Sequence, residues 1–163
     1  MEVVRVLTPR LTATLDEIYR VSPTARAIVD ELEESNVIVH IQGMRPDLRA
    51  RLVGTMRLTQ FSAGRRFLRI AVNDWLDPDR RAAALAHELQ HALEVARAGF
   101  VVDQASLGAL YGRIGYESGG DPNAECYETA AAMHVGRIVL QDVRAAVALA
   151  RRGSSPAPPR GPE

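Results

Sequence analysis

The sequence has little of several features that would each indicate a class of protein. Its single cysteine, Cys126, excludes an internal disulfide and a structural zinc site built on cysteines. It has no lysine, so all 20 basic residues are arginine, which we attribute to codon usage and not to function. No apolar run approaches the roughly 20 residues of a membrane-spanning helix. These absences predict a soluble chain without a disulfide framework.

Neither sign of charge is in excess. The 20 arginines are balanced by 20 aspartates and glutamates, so the formal net charge is zero. A neutral chain gives no electrostatic reason to expect nucleic acid or an acidic membrane as the main partner. Residues 1–10 lack the basic start and apolar core of a secretory signal peptide. The sequence leaves the compartment and the oligomeric state open.

Length and composition are those of one globular domain. The chain has 163 residues, of which 47% are hydrophobic and 25% charged, enough for one hydrophobic core and too few for two ordinary domains. We therefore predict a single domain over residues 1–152. The tail over residues 153–163 is polar and rich in proline, which predicts disorder.

The first 72 residues alternate between helical and extended patterns. Apolar spacing and the cap-plus-proline pair Ser22-Pro23 indicate helices, and β-branched runs indicate strands. We predict helices over 11–20 and 23–34, a short strand or an extended arm over 3–7, and strands over 37–42, 55–62 and 66–72. The short connection between the last two strands favours an antiparallel hairpin. His40, in the strand over 37–42, is expected to be a core or supporting histidine and not a metal ligand.

A well-bounded helix follows the predicted sheet. Asp77-Pro78 supplies a cap and a proline at the first helical position, and Gly99 is the preferred residue just past a helix end. We predict a helix from about Pro78 to Ala98. Its many alanines would allow close packing against a sheet or a neighbouring helix.

The segment His87-Glu88-Leu89-Gln90-His91 lies in the middle of this helix. Two histidines four residues apart project from the same face, one turn above each other. A glutamate directly after the first histidine can reach a metal-bound water and act as a general base. The HExxH segment therefore predicts a zinc site with His87 and His91 as ligands and Glu88 as base.

Catalytic zinc usually takes a third protein ligand and keeps one position for water. A metzincin would continue the motif with glycine and histidine, but Glu94 and Arg97 occupy those positions, so this class is excluded. Glu94 is expected to be a surface carboxylate or one that supports a ligand.

A later glutamate is the remaining source of the third ligand. Asp121-Pro122 repeats the cap-plus-proline signal and predicts a long helix over about 122–151, with Glu125 and Glu128 three residues apart on one face. We favour Glu128, which precedes a run of alanines where two helices could approach closely. Glu125 falls in the first turn, where the helix dipole already explains a carboxylate. His134 points away from Glu128 and is not expected to be a ligand.

The layout resembles the minimal core of the gluzincins, a group of zincin metallopeptidases. The segments AHELQHALEVA, RIGY and YETAAAMHVGR also resemble small bacterial HExxH proteins of about this length. The resemblance covers roughly residues 35–140. It implies an α+β fold with N-terminal helices, a small antiparallel-containing sheet, the HExxH helix and a later helix that carries the glutamate.

Carried over to this chain, the resemblance implies one catalytic zinc ion held by His87, His91 and Glu128, with Glu88 as catalytic base. The implied substrate is a peptide or protein. The resemblance also implies that Arg66–Val72 is the sheet edge that faces the cleft, where a peptide could add as an extra strand.

The chain departs from large gluzincins because it lacks their second, C-terminal domain. That domain usually supplies a tyrosine or histidine that stabilises the tetrahedral intermediate. Tyr116 and Tyr127 are the candidates here, although packing is the more common role of a tyrosine. The sequence thus predicts a zinc-dependent hydrolase, a metallopeptidase. The alternatives are a zincin-fold protein that binds zinc without catalysis, as a binding or regulatory module, and a helical domain in which the motif arose by chance.

Overall fold

The computed structural model describes residues 3–44, 53–117 and 127–153. The fold is α+β, which confirms the predicted class. The elements of the described residues are, in chain order, β1 (Val4–Val6), α1 (Pro9–Val21), α2 (Pro23–Glu33), β2 (Val37–Met44), β3 (Gly54–Ser62), β4 (Arg65–Asn73), α3 (Pro78–Arg97), α4 (Gln104–Ile114), β5 (Tyr116–Glu117), β6 (Tyr127–Glu128) and α5 (Ala130–Gly153).

The main sheet has four strands in the order β1-β2-β4-β3. Strands β1, β2 and β4 run parallel, and β3 is antiparallel to β4, so the predicted hairpin is confirmed. The prediction that Arg66–Val72 forms the sheet edge is wrong, since β4 pairs with β2 on one side and β3 on the other. The alternate residues Leu68, Ile70 and Val72 of β4 are fully buried, as suits a central strand, whereas most of β3 is polar and exposed, as suits an edge.

One face of the sheet carries the core. Alternate residues of the two central strands, such as Val39, Ile41, Leu68 and Ile70, are fully buried and belong to a single apolar cluster with the helices. Helix α3 packs against β2, β3 and β4 and against helices α1, α2 and α5, while α1 and α2 also contact β1. No helix in the described ranges is long and apolar enough to cross a membrane.

Small residues bring helices α3 and α5 close together. A Cβ atom at Gly136 of α5 would lie 3.4 Å from the Ala83 carbonyl oxygen and 3.6 Å from the His87 Cβ. Ala82, Ala86 and Ala92 of α3 are fully buried. The close packing predicted from the alanine content of α3 is therefore confirmed.

The side chain of Arg66 donates hydrogen bonds to backbone carbonyl groups at the C-terminal end of α3. Its Nη1 donates to the carbonyl oxygens of Val95 (2.5 Å) and Ala98 (2.9 Å), and Nη2 donates to Ala96 (3.1 Å) and to the Asn36 side chain. Arg66 is 2% exposed, and this burial lowers its pKa. The carbonyl groups of Val95 and Ala98 also accept hydrogen bonds from the backbone N–H groups of Ala98 and Val101, so Arg66 adds a second donor to each and attaches the end of α3 to β4.

Capping residues mark the starts of helices α2 and α4. Ser22 accepts a hydrogen bond from the Ala25 backbone N–H (3.3 Å), as the predicted start of α2 requires, and Asp103 forms a capping box with Ser106 at the start of α4. Asp77 occupies the N-cap position of α3 but makes no side-chain cap bond, so Pro78 is the effective start signal there.

The predicted helix over 122–151 begins later than expected. Helix α5 starts at Ala130, and Tyr127–Glu128 form strand β6, which pairs with β5. Thr129 caps α5, because its Oγ1 accepts a hydrogen bond from the Ala132 backbone N–H (3.0 Å). The Asp121-Pro122 signal and Glu125 lie outside the described residues, as does the predicted tail over 153–163 except Gly153, which is the last residue of α5.

Candidate metal centre

Three side chains meet beside the middle of α3. The Nε2 atoms of His87 and His91 are 3.2 Å apart, and Glu128 Oε1 lies 3.2 Å from His87 Nε2 and 3.5 Å from His91 Nε2. Ligand atoms of a tetrahedral zinc ion, with bonds of about 2.0 to 2.1 Å, lie about 3.3 to 3.4 Å from one another. The triangle thus has the size of one face of a zinc tetrahedron, and the donors, two imidazoles and a carboxylate, are ones that zinc takes.

Helix α3 supplies two corners of this triangle through its regular geometry. His87 and His91 are one turn apart, with ring centroids 4.8 Å apart. The side chain of His91 is 6% exposed, whereas those of His87 and Glu128 are 21% and 22% exposed. The cluster is therefore closed on the His91 side and open to solvent on the side of the other two residues.

Glu128 reaches the cluster from strand β6 and not from a helix. This corrects the prediction of a helical glutamate, although the favoured residue does lie beside the two histidines. Its Oε1 accepts a hydrogen bond from the Thr129 backbone N–H (3.0 Å), and its backbone pairs with Tyr116 of β5. The position of the carboxylate is thus determined by the short β5–β6 hairpin and by the first residue after it.

Glu94 lies beside His91 and Thr129. Its Oε2 lies 2.9 Å from His91 Nδ1, and its Oε1 accepts a hydrogen bond from Thr129 Oγ1 (2.7 Å). A carboxylate at Nδ1 fixes the tautomer that leaves Nε2 free to bind a metal. The Glu94 side chain is 8% exposed, so it is not the surface carboxylate that was one of the two expectations, and its role as support for a ligand stays a prediction.

Thr129 is a residue of the site that the sequence analysis did not predict. It is 2% exposed, and it contacts the site in three ways: its N–H reaches Glu128, its hydroxyl donates to Glu94, and the same oxygen caps α5 through Ala132. The available signal was the N-cap preference of threonine directly before an alanine run. Thr129 therefore connects Glu128, the Glu94 side chain beside His91, and the start of α5.

Glu88 lies on the side of α3 that faces the edge strand β3. It is 5% exposed, and a Cβ atom at Gly54 would lie 2.5 Å from its Oε1. Burial raises the pKa of Glu88 to about 7, against the opposing effect of His91 and His87. A carboxyl group with a pKa near neutrality is suited to accept and return a proton.

The ligand side chains influence each other's protonation. For Glu128 burial alone would raise the pKa, but hydrogen bonds from His87 and His91 lower it to about 2. For His91 burial alone would lower the pKa, but hydrogen bonds to Glu128 and Glu94 raise it to about 9. The carboxylates thus hold a positive charge at the place where a metal cation would sit.

Three tyrosines surround the cluster. Tyr111 packs edge-on against His91, donates to the His91 carbonyl oxygen (3.4 Å) and stacks on Tyr127, with ring centroids 5.5 Å apart in both ring pairs. Burial raises the pKa of Tyr111. Tyr116 is half exposed and donates to Met133 Sδ (3.4 Å). Tyr127 thus takes a packing role here, and an oxyanion role for either Tyr116 or Tyr127 stays a prediction.

Two other histidines, His40 and His134, were also weighed as ligands, and Glu125 lies outside the described residues. Within the described ranges, the group that could hold a metal ion consists of His87, His91 and Glu128, whose donor atoms all lie within 4.8 Å of one another. His40 is half-buried on β2 and His134 is exposed on α5, and neither belongs to this group.

Comparison of the chain with protein-family models, with curated proteins and with solved structures finds no match. The resemblance to gluzincins stays a prediction that rests on the motif segments. The functional argument therefore rests on the geometry of the cluster.

Proposed function

We propose that the protein is a zinc-dependent hydrolase, a metallopeptidase in which His87, His91 and Glu128 hold the metal and Glu88 is the general base. The observation that carries the proposal is the triangle of ligand atoms, with sides of 3.2, 3.2 and 3.5 Å. These lengths fit zinc without rearrangement of the side chains.

Two features of the cluster favour a catalytic metal ion over a structural one. Structural zinc is almost always held by four protein ligands, whereas the described part of the chain brings three to this place. The partial exposure of His87 and Glu128 leaves the fourth position on the solvent side, where water or a substrate can enter. His91 and Glu94 lie on the buried side of the site, with side chains that are 6% and 8% exposed.

The chain's own residues have separate tasks in the proposed reaction. Zinc supplies Lewis acidity, which makes water a nucleophile at neutral pH and polarises a carbonyl group. Glu88 takes the proton of the attacking water on its carboxylate and delivers it to the leaving amine. Glu94 and Thr129 hold His91 in its metal-binding tautomer, and Gly54 leaves the space that Glu88 occupies.

The test compares metal content and hydrolysis in the same preparations. We expect about one zinc ion per chain in the natural protein and in Glu88→Gln, because Glu88 is not a ligand. Against a denatured, fluorescently labelled protein substrate, Glu88→Gln should be about 10²- to 10⁴-fold slower, as is typical when a general base is removed. Chelator should abolish the activity of the natural protein. Zinc-loaded Glu88→Gln with unchanged activity would contradict the assigned base.

A second candidate is a zinc-binding protein without catalysis. It is favoured by the contact of one candidate oxyanion donor, since the Tyr116 hydroxyl donates to Met133. Hydrolysis of a peptide needs a donor for the developing oxyanion. Full zinc occupancy with no hydrolysis of any denatured substrate, in the natural protein as in Glu88→Gln, would select this candidate.

A further inference from the structure

Two exposed apolar side chains lie next to the candidate ligand Glu128. Tyr116 of β5 is 50% exposed, and Met133 of α5 is 41% exposed. The Tyr116 hydroxyl donates to Met133 Sδ (3.4 Å), so the two side chains touch although they come from different elements. We call Tyr116 and Met133 the apolar pair.

The register of the β5–β6 hairpin places Tyr116 beside Glu128. The two residues are direct partners in the antiparallel pairing. Side chains of directly opposed residues share one face of a sheet, with Cβ atoms about 4.5 to 5.5 Å apart. The ring of Tyr116 is therefore on the same side of the hairpin as the carboxylate that reaches the two histidines.

The start of α5 places Met133 beside Glu128 for a separate reason. Thr129 is the capping residue, so Glu128 precedes the cap and Met133 is the fourth residue of the helix. Side chains at these two positions commonly pack against each other. Here the Glu128 carboxylate turns toward His87, with Oε1 3.2 Å from Nε2, and Met133 contacts Tyr116. The apolar pair thus lies beside the metal cluster through both the hairpin and the helix.

The apolar pair borders the open side of the cluster. The side chains of His87 and Glu128 are 21% and 22% exposed, whereas that of His91 is 6% exposed. Gly136 shares a face of α5 with Met133, and a Cβ atom there would lie 3.6 Å from the His87 Cβ. Helix α5 therefore passes close to His87 without a side chain at this point. A substrate that enters from solvent would reach the metal position beside the apolar pair.

We propose that the apolar pair binds an apolar side chain of the substrate, at the residue next to the scissile bond. This inference rests on the proposed function, because the metal position determines where the scissile carbonyl lies. Burial of the exposed ring and thioether by such a side chain removes apolar surface from water, which favours binding. A methionine side chain adapts to different shapes, and a tyrosine ring offers a large apolar surface. The substrate class is therefore peptides with leucine, phenylalanine or a similar apolar residue beside the bond that is cut.

The experiment measures the affinity of two peptide hydroxamates for the zinc-loaded full chain by titration calorimetry. One probe has leucine next to the zinc-binding hydroxamate, and the other has asparagine, whose side chain has a similar shape but is polar. The test variant is Tyr116→Ser/Met133→Gln, and the matched control is Val147→Thr/Leu149→Asn, which removes two other exposed apolar side chains. The natural protein and the control should bind the leucine probe about tenfold more tightly than the asparagine probe, and the test variant less than about threefold more tightly.

Two single variants separate the role of the side chains from damage to the site. Met133→Gln leaves the hairpin unchanged and should reduce the preference for the leucine probe by about threefold. Tyr116→Phe keeps the ring without the hydroxyl and should keep the preference. Neither residue is a proposed ligand, so competition with a chromophoric chelator should give the zinc affinity of the natural protein in both variants.

The outcomes distinguish this inference from the proposed function. Equal affinity of the two probes for the natural protein would overturn the apolar pair as a binding site, while the metal site stands. An unchanged preference in Met133→Gln and in the double variant would overturn it in the same way. If zinc-loaded protein binds neither probe, the metal has no open position, and the proposed function fails together with the inference.

Discussion

The metal cluster joins two regions that differ in almost every physical respect. Helix α3 is a continuous helix of 20 residues, buried along most of its length, and it supplies His87 and His91 from one face. The β5–β6 hairpin has two residues in each strand, and it supplies Glu128, which is partly exposed. Yet Glu128 Oε1 lies 3.2 Å from His87 Nε2 and 3.5 Å from His91 Nε2, close to the 3.2 Å between the two imidazole nitrogens. A ligand position can thus be fixed by the helical repeat or by a few specific contacts.

The largest expected effect comes from the removal of one ligand from each region. His91→Ala and Glu128→Ala should each weaken zinc binding by more than about 100-fold, since even supporting residues of a zinc site contribute about 10- to 100-fold. Competition with a chromophoric chelator measures the affinity. His134→Ala, which removes an exposed histidine of α5, should have no effect. Undiminished affinity in Glu128→Ala would mean that the hairpin does not supply the third ligand.

The second largest expected effect concerns Glu88 on helix α3 and the free energy of unfolding. Burial raises the pKa of Glu88 from 4.5 to about 7, so between these values the unfolded chain releases a proton that the folded protein keeps. The contribution of Glu88 to stability therefore falls as pH rises from about 4.5 to 7 and stays low above that range. Glu88→Gln should stabilise the metal-free protein at pH 8 by at most about 3 kcal/mol.

Urea unfolding of both proteins in chelator, at pH 5 and at pH 8, measures this difference. The two proteins should differ little at pH 5, because Glu88 is then mostly protonated in the folded state and resembles the amide. The difference between the two proteins in the free energy of unfolding should increase toward pH 8. A gap that stays constant with pH would mean that the carboxyl group is not held in a desolvated position on α3.

The third effect tests the hairpin side. A Cβ atom at Gly115 would lie 2.7 Å from the Glu128 carbonyl oxygen and 3.1 Å from the Tyr111 carbonyl oxygen, and backbone atoms cannot give way cheaply. Gly115→Ala should displace β6 and weaken zinc binding by about 10- to 100-fold, as loss of a supporting contact does. Gly112→Ala is the matched control, because a Cβ atom there meets nothing within 4 Å.

Gly112→Ala should leave zinc affinity unchanged and should stabilise α4 by up to about 1 kcal/mol, since alanine is the better helix former. If Gly115→Ala binds zinc as tightly as Gly112→Ala, the glutamate does not depend on the hairpin backbone.

The contrast between the two regions also explains what the sequence could predict. Helix α3, its two histidines and Glu88 follow from local rules, since a cap position, a proline and a repeat of 3.6 residues define which side chains share a face. The strands and the β3–β4 hairpin follow from local patterns in the same way. The central position of β4 does not, because hairpin pairing says nothing about which strand then pairs with β2.

Glu128 was predicted as a ligand for a reason that the structure corrects. The alanine run after it favours a helix, but Thr129 caps that helix at Ala130 and leaves Glu128 in a strand. The bond from Thr129 to Glu94 spans 35 positions of the chain, and the bonds from Arg66 to α3 span about 30. No local pattern encodes contacts at such separations, so only the folded structure identifies Thr129 and Arg66 as parts of the framework.

The smallest effect tests the link between the two regions. Thr129→Ala removes the hydroxyl that donates to Glu94 and caps α5, while the backbone N–H still reaches Glu128. Without that donor the Glu94 carboxylate is free to turn away from His91 Nδ1, so we expect zinc affinity to fall by about tenfold. Loss of the cap should lower stability by about 1 kcal/mol. Thr129→Ser keeps the hydroxyl and should restore both properties.

The two measurements can separate the two roles of this hydroxyl. If Thr129→Ala lowers the urea midpoint but leaves zinc affinity intact, the threonine is only a cap, and His91 is held by Glu94 alone. If both properties fall and both return in Thr129→Ser, the same oxygen joins the start of α5 to the partner of His91. In that case the hairpin ligand and the helix ligands are coupled, because a shift of Thr129 moves the backbone beside Glu128 and the carboxylate beside His91 together.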